Sequence, residues 1–328
     1  MESRIAFFDL GFAKESYKLN SSKYGGGAVV AKYLNQCNDL DFYLFAPEES
    51  LIGLGAEDRP ERCYPLSEKV CKALRDGYPL DKAIKNIDDF DIIFHGHTSF
   101  SFKTTKKLKP PIVHWSGFDG AAGHPRNDYI LLYDPSFVPK FGETAKYFTL
   151  GKPVPKEFQE YKKEDFVFQC SRMDGTMRPN IAIEECIENG IDIFLAGPIH
   201  NNYELRTKHK LVHYLGEIDE ETKIDYYKRA KMFTLLHAWH GLPFNQSIIE
   251  CQAYGTPFLA PKIGPFFNRY LKEGINGFNY NSHNFKESWE KCGNIDQRKC
   301  WESARKFSTE EMVRTLKIAF EEIIQEWS

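Results

Sequence analysis

The chain has 328 residues, 42% of them hydrophobic and 15% aromatic, with a formal net charge of −3. That length accommodates two α/β domains with a buried core each, and that composition excludes a disordered chain. The near-neutral charge offers no strong attraction to nucleic acid, which leaves a nucleic-acid partner disfavoured but open.

Arg4 to Leu10 (RIAFFDL) is a short apolar strand running into a glycine-containing loop. Tyr24 to Leu34 begins with Gly25, Gly26 and Gly27 and continues as a helix. The three glycines suit a flexible turn or a backbone that a phosphate can approach closely. Further strands are expected at Asp41 to Ala46, Asp91 to His95, Pro111 to Trp115 and Tyr129 to Tyr133. Apolar strands separated by helical stretches imply a parallel sheet covered on both faces. Gly151 to Glu164, rich in proline and charge, reads as an interdomain linker. The alternation then restarts, with strands at Phe166 to Ser171, Ile191 to Ala196, Leu211 to Leu215, Met232 to Leu236 and Pro257 to Ala260. Helical stretches at 179–189, 219–230 and 246–254 lie between them. The last helix, Thr309 to Trp327, has Ser308 as N-cap and Glu311 placed for a capping box. Its stripe of Met312, Leu316, Ala319, Phe320 and Ile323 needs a packing partner. The expected division is therefore 1–150, 151–308 and a final helix at 309–328.

Eight cysteines (Cys37, Cys63, Cys71, Cys170, Cys186, Cys251, Cys292 and Cys300) form no CxxC pair and no Cys/His cluster. That spacing argues against a zinc site and against a disulfide framework. The start MESR is charged and no apolar run approaches a membrane span, so no integral membrane segment is expected. The expected location is the cytoplasm, with the chain free or peripheral at a membrane surface. Asp39-Leu40-Asp41 and Asp89-Phe90-Asp91 fit an Asp-x-Asp metal pattern, but each leads directly into a strand and suits a turn. The basic run Lys103 to Lys109 reads as a solvated segment, with an acidic acceptor or a membrane surface as the sharper option. Phe100 and Phe102 before it read as core, or else as an acceptor platform.

The most informative stretch is Phe233 to Ala260, FTLLHAWHGLPFNQSIIECQAYGTPFLA. It reads strand, irregular loop, helix, turn, strand. Ile248, Ile249 and Ala253 keep a helical apolar face, and Gly255-Thr256-Pro257 ends the helix. A helix N-terminus carrying Ser247 beneath a polar loop suits an anion such as a diphosphate. One turn further, Glu250 can accept hydrogen bonds from sugar hydroxyls, or else cap or solvate its own helix.

This stretch resembles the signature of retaining GT-B glycosyltransferases of the group often called family 4. That signature is roughly Glu-Gly/Pro-Phe-Gly-Leu-x-x-x-Glu-Ala-x-Ala-x-Gly-Thr-Pro-Val. Pro243-Phe244, Glu250, Ala253 and Gly255-Thr256-Pro257 match it. The first glutamate falls on Leu242 and the glycine after Phe on Asn245. Other segments share the likeness. In FVFQCSRMDGTMRPN, Arg172 matches the family arginine that binds the donor diphosphate, while the family lysine falls on Met177, next to Arg178. IFLAGP resembles the following strand and turn, LGEIDEE with Tyr226-Tyr227 the segment around the nucleotide base, and GINGF a hairpin before the last strand. Gly25 to Gly27 resemble the N-terminal glycine loop, and His95-Gly96-His97 the family's Asp-x-x-His-x-His.

The resemblance implies an α/β GT-B fold: two Rossmann-like parallel-sheet domains facing a central cleft, with the C-terminal helix crossing back to the first. It implies retaining transfer of a sugar from a nucleotide-sugar, UDP- or GDP-linked, to the hydroxyl of a glycan, lipid-linked or other acceptor. No cofactor and no metal are implied. The catalytic candidates are His97, His114 and Glu250, the histidines being alternatively ordinary core residues. Donor diphosphate and sugar would meet Gly26, Gly27, Arg172, Arg178, Pro243, Phe244, Asn245, Gln246, Ser247 and Glu250. Base and ribose would meet Gly197, Pro198, Gly216 and Ile218. His237 and His240 stand by the missing glutamate and can replace part of its role. The alternatives are a glucosyltransferase acting on modified DNA bases, a non-catalytic nucleotide-sugar or glycan-binding protein, and a sugar-nucleotide epimerase.

Overall fold

Short runs such as RIAFF, DFYLFAP and YILL are apolar at nearly every position, the pattern of parallel strands buried on both faces. The computed structural model describes residues 3–8, 40–47, 60–96, 102–116, 128–132, 135, 138–237 and 244–328. They fall into two units, 1–151 with 309–328, and 152–308.

The first unit contains the strands β1 (Arg4–Phe8), β2 (Asp41–Pro47), β3 (Cys63–Leu66), β4 (Ile92–Gly96), β5 (Ile112–Ser116), β6 (Tyr129–Leu132) and β7 (Ala145–Tyr147). They form one parallel sheet in the order β3-β2-β1-β4-β5-β6-β7. Ala6, Phe8, Phe45 and Ile93 cover one face with Cys71 and Leu74 of α1 (Glu68–Arg75). On the other face Phe42 and Phe94 pack edge-on to Phe320, at 6.2 and 5.3 Å between ring centroids. Phe320 belongs to the final helix, Thr309–Trp327, whose Met312, Leu316, Ala319, Phe320 and Ile323 are all buried. Thr315 Oγ1 accepts from the Thr149 N–H at 2.9 Å, and Trp327 Nε1 donates to the Lys109 carbonyl at 2.8 Å. The sequence pattern did not single out β3 and β7. Both are short edge strands, β3 exposes Tyr64 and contains Pro65, and such strands lack the run of buried residues that marks an interior one.

In the second unit β8 (Glu164–Cys170), β9 (Asp192–Ala196), β10 (Val212–Gly216), β11 (Ala230–Thr234), β12 (Phe258–Ala260) and β13 (Gly277–Asn279) form a parallel sheet. Its order is β10-β9-β8-β11-β12-β13. One face carries Val167, Ile193, Leu195 and Met232 under α2 (Pro179–Asn189). The other carries Phe168, Phe233 and Phe258 under α3 (Glu220–Arg229) and α4 (Gln246–Ala253). Helices α5 (Gly264–Tyr270), α6 (Phe285–Cys292) and α7 (Gln297–Arg305) follow, and α8 is the final helix of the first unit. Gly277 at the start of β13 has no alternative residue, because a Cβ there would lie 2.2 Å from the Phe258 carbonyl oxygen. Asn276 before it closes the GINGF hairpin, donating to the Tyr270 carbonyl at 3.0 Å and accepting from Lys272 N–H at 2.8 Å.

The chain passes from one unit to the other at 151–152, inside the linker expected over 151–164, and 152–163 form a packed strap of the second unit. Val154 is in the core, Trp301 Nε1 donates to the Pro155 carbonyl at 2.9 Å, and Gln297 bonds both ways with the Tyr161 backbone. Proline and charge describe its outer side; its inner side is set by residues more than a hundred positions away. Both Asp-x-Asp patterns serve strand starts. Asp41 pairs with Arg62 at 3.0 Å and Asp91 accepts from the Arg4 N–H at 2.8 Å, while Asp39 lies outside the described residues. In the basic run Lys106 pairs with Asp88 at 2.5 Å, and Phe102 is core. Phe100 lies outside the described residues. No helix among the described residues is long and apolar enough to cross a membrane.

Candidate functional site

In an open parallel sheet, ligands bind beyond the carboxyl ends of the strands, where the strand order reverses. In the second unit that point lies between β8 and β11, which pair directly while β9 and β10 extend one way and β12 and β13 the other. The chain leaving β8 carries Arg172. The chain leaving β11 leads to the N-terminus of α4. Topology thus sets the exits of two strands distant in sequence side by side.

The segment after β8 is fixed by its neighbour strand: Ser171 N–H donates to the Ala196 carbonyl at 3.0 Å and Met173 N–H to the Pro198 carbonyl at 2.8 Å. Arg172 leaves a side chain 45% exposed, with Nε paired to Asp174. The other Asp174 oxygen accepts from the amides of Thr176 and Met177, both at 2.9 Å, so the loop is braced from within. Met177 is buried in the apolar cluster with Phe168 and Phe233. Arg178 is exposed and sits at the α2 N-cap with φ +48°, a left-handed conformation. The structure therefore sets the residue aligned with the family lysine in the core and its arginine neighbour at the surface.

Gly197 and Gly216 lie side by side at the ends of β9 and β10, the Gly197 N–H donating to the Gly216 carbonyl at 2.8 Å. Gly197 has φ +128°, and a Cβ there would fall 1.9 Å from the Ser171 carbonyl oxygen. Only glycine lets the β9 end approach the β8 loop so closely. Tyr214 donates to the Gly197 carbonyl at 2.8 Å, Pro198 accepts from Met173, and Ile218 packs on the core beside Tyr226. These four residues line the same strand ends as Arg172.

Helix α4 begins at the crevice. Asn245 is its N-cap and accepts from the Ile248 N–H at 2.9 Å. Phe244 packs on Phe266 and Phe307 at 5.3 and 5.7 Å between centroids, and is thereby part of the aromatic core. Gln246 accepts from Lys152 Nζ at 3.2 Å. Ser247 meets the Tyr227 hydroxyl. Glu250, only 8% exposed, is the centre of a charged cluster. Its Oε1 lies 2.6 Å from Lys152 Nζ, and its Oε2 lies 3.2 Å from Lys223 Nζ and accepts from the Tyr227 hydroxyl at 3.1 Å. Burial pushes this carboxyl up, and Lys152 and then Lys223 outweigh that and hold it at about 2. Lys223 in turn is raised: burial pushes it down, but Glu250 and Glu220 prevail. The carboxylate is therefore a fixed anion, with about four acceptor directions of which three are in use.

His114 is buried on β5 of the first unit beside its register partner His95, ring to ring at 4.8 Å, with Phe102 against His95. His237 is buried against Phe267 at 4.5 Å. Gly26, Gly27, His97, His240, Leu242 and Pro243 lie outside the described residues. No three His, Cys, Asp or Glu side chains among the described residues are grouped as metal ligands.

Sequence reasoning missed Lys152, Lys223 and the inward hydroxyl of Tyr227. One signal was available: Lys223 stands one turn before Tyr227, on the same face of α3, so a lysine there faces inward. Lys152 gave no signal, since its partner lies 98 positions away.

No family model matches the chain, and no curated protein does. Solved structures do. The chain is similar over 98% of its length to 98% of AviGT4, a glycosyltransferase involved in avilamycin A biosynthesis, at 15% identity and a TM-score of 0.70. A glycosyltransferase from Rickettsia africae matches at 14% identity and 0.67, over 98% of this chain and 99% of that one. HepE from Anabaena, solved with UDP-glucose, matches at 12% identity and 0.64, over 98% of this chain and all of HepE. At such identities the likeness shows the fold. Two Rossmann-like parallel-sheet units, of seven and six strands, are the GT-B arrangement.

Proposed function

We propose that this protein is a glycosyltransferase that takes a sugar from a UDP- or GDP-linked donor held on the second unit and transfers it, with retention, to an acceptor hydroxyl. The observation that carries this reading is the switch point, where β8, which leads to the Arg172 loop, pairs with β11, which leads on to α4. HepE, of the same fold, is a UDP-glucose complex, which supports the donor class.

The chemistry follows from charge. The bond between the anomeric carbon and the diphosphate oxygen breaks, the acceptor oxygen bonds to that carbon on the same face, and its proton passes to the departing diphosphate. Negative charge grows on the diphosphate, and the groups beside it here are a guanidinium and the first turn of a helix. Arg172 can turn from Asp174 to two phosphate oxygens, a contact worth roughly 1.5–3 kcal/mol. Glu250 keeps about one acceptor direction for a sugar hydroxyl. Gly197, Pro198, Gly216 and Ile218 form the floor for base and ribose. His114, with His97 and Gly26, belongs to the acceptor side on the first unit, and the reaction is read as metal-independent.

The test is donor hydrolysis and transfer with UDP- and GDP-sugars, in EDTA and in Mg²⁺, for the native chain and for Arg172→Ala. The variant is expected to lose about tenfold or more in turnover; unchanged turnover and donor affinity would sink the phosphate role. The buried Met177 and exposed Arg178 favour a second reading, a protein that binds nucleotide-sugar without turning it over. Saturable donor binding with no product in the same assay would establish it.

A further inference from the structure

Lys163 stands apart from the crevice and from every role above. It is the last residue before β8, and its ammonium meets four oxygens: the carbonyls of Tyr227 at 3.4 Å, Lys228 at 2.9 Å and Tyr254 at 3.0 Å, and Thr256 Oγ1 at 2.6 Å. Tyr227 and Lys228 are in the last turn of α3, and Tyr254 is the C-cap of α4. One cation thus caps the C-termini of two helices, where outward carbonyls and the helix dipole favour positive charge. Thr256, the threonine of the Gly-Thr-Pro turn, joins the same knot by donating to the Tyr227 carbonyl. Among the described residues no carboxylate pairs with Lys163.

Tyr227 links this clamp to the donor site. Its carbonyl is held by Lys163 and its hydroxyl donates to Glu250. Lys223, one turn earlier on α3, is the other α3 partner of Glu250 on α4. We propose that Lys163 is a positioning residue: by clamping the C-termini of α3 and α4 it sets where Tyr227 and Lys223 stand against Glu250, and thereby how tightly a nucleotide-sugar is held. This rests on the donor-site reading above.

The clamp responds to pH. Burial pushes the ammonium down to about 7, against a smaller upward pull from the thiols of Cys300 and Cys251. The groups facing it are those two thiols, the phenols of Tyr161 and Tyr254, and the Lys228 ammonium, which lies over both phenol rings. Burial pushes both thiols and both phenols up, so they stay neutral as Lys163 loses its proton. The neutral amine keeps two N–H groups where the ammonium has three to share among the four oxygens, and it brings no charge to the two helix ends.

The experiment is a calorimetric titration of UDP-glucose, whose diphosphate diester does not titrate here, into the native chain, Lys163→Met and Lys163→Arg from about pH 6 to 9. Native affinity is expected to fall about fivefold across that range, the size of one charge at a helix terminus. The methionine variant should bind weakly with a flat profile, and the arginine variant should hold its affinity at the alkaline end. Native affinity and pH profile in Lys163→Met would overturn the proposal. If the native chain binds no UDP-glucose, the donor reading fails for that sugar. Melting temperatures then decide the role of Lys163 separately. Shifts from Lys163→Met and Glu250→Gln that combine less than additively support the coupling, and strictly additive shifts overturn it.

Discussion

The two units have the same plan and bury different things. In the first, the buried polar residues among those described are His95, His114 and Thr149, and the sheet is covered by apolar side chains on both faces. In the second, Lys152, Gln169, Asp174, Thr234, His237, Glu250, Gln252, Thr256, Asn276, Ser288 and Ser308 are all buried. Apolar burial alone suffices to stabilise a Rossmann-like unit. Buried charge is costly unless paired, so its concentration on one side marks where the fold is organised for something besides stability. Among the described residues, then, the second unit sets a buried charged network into its apolar core, and the first does not.

That contrast can be tested, largest effect first. Glu250→Gln should destabilise the second unit by about 3–5 kcal/mol, because it leaves Lys152 and Lys223 facing a neutral amide. Urea unfolding followed by a probe in that unit would read it, and a loss below about 1 kcal/mol would end the idea of a charged network. The same network has a pH signature. The folded carboxyl, at about 2, lies below its ordinary 4.5, so its contribution is present above pH 4.5 and is lost as pH falls from there to 2. Acid unfolding of Glu250→Gln should lack that loss. In the first unit Phe320→Ala should cost about 3–5 kcal/mol through the cavity left against Phe42 and Phe94, with little dependence on pH. A strongly pH-dependent effect there would erase the distinction between the units. Lys106→Ala, which removes an exposed pair with Asp88, should leave the melting temperature nearly unchanged at low and at high salt, and a clear drop at low salt would overturn that.

Much of the second unit could be read in advance. The expected helix at 179–189 has those bounds in the structure, and the one expected at 246–254 runs Gln246–Ala253, with Tyr254 as its C-cap. Helix α7 was not anticipated, since it buries only Cys300 and Ala304 and thus carries no apolar stripe. Arg172 was singled out by its match to the family motif and Glu250 by its place one turn into a helix, and the structure sets the first after a strand end and the second on α4. Lys152 and Lys163 were not singled out, because they lie in a segment whose composition resembles a linker.

The sequence by itself determined which runs become strands and helices, since the period of apolar residues and the placing of Gly, Pro and capping residues act over a few positions. It also determined that Glu250 lies one turn into its helix. Only the tertiary structure decided that β8 and β11 stand side by side, that Met177 faces the core while Arg178 faces out, and that one buried carboxylate holds two lysines. The reason is that pairing free energy depends on distance and burial, and both are set by strand order, which no local pattern encodes.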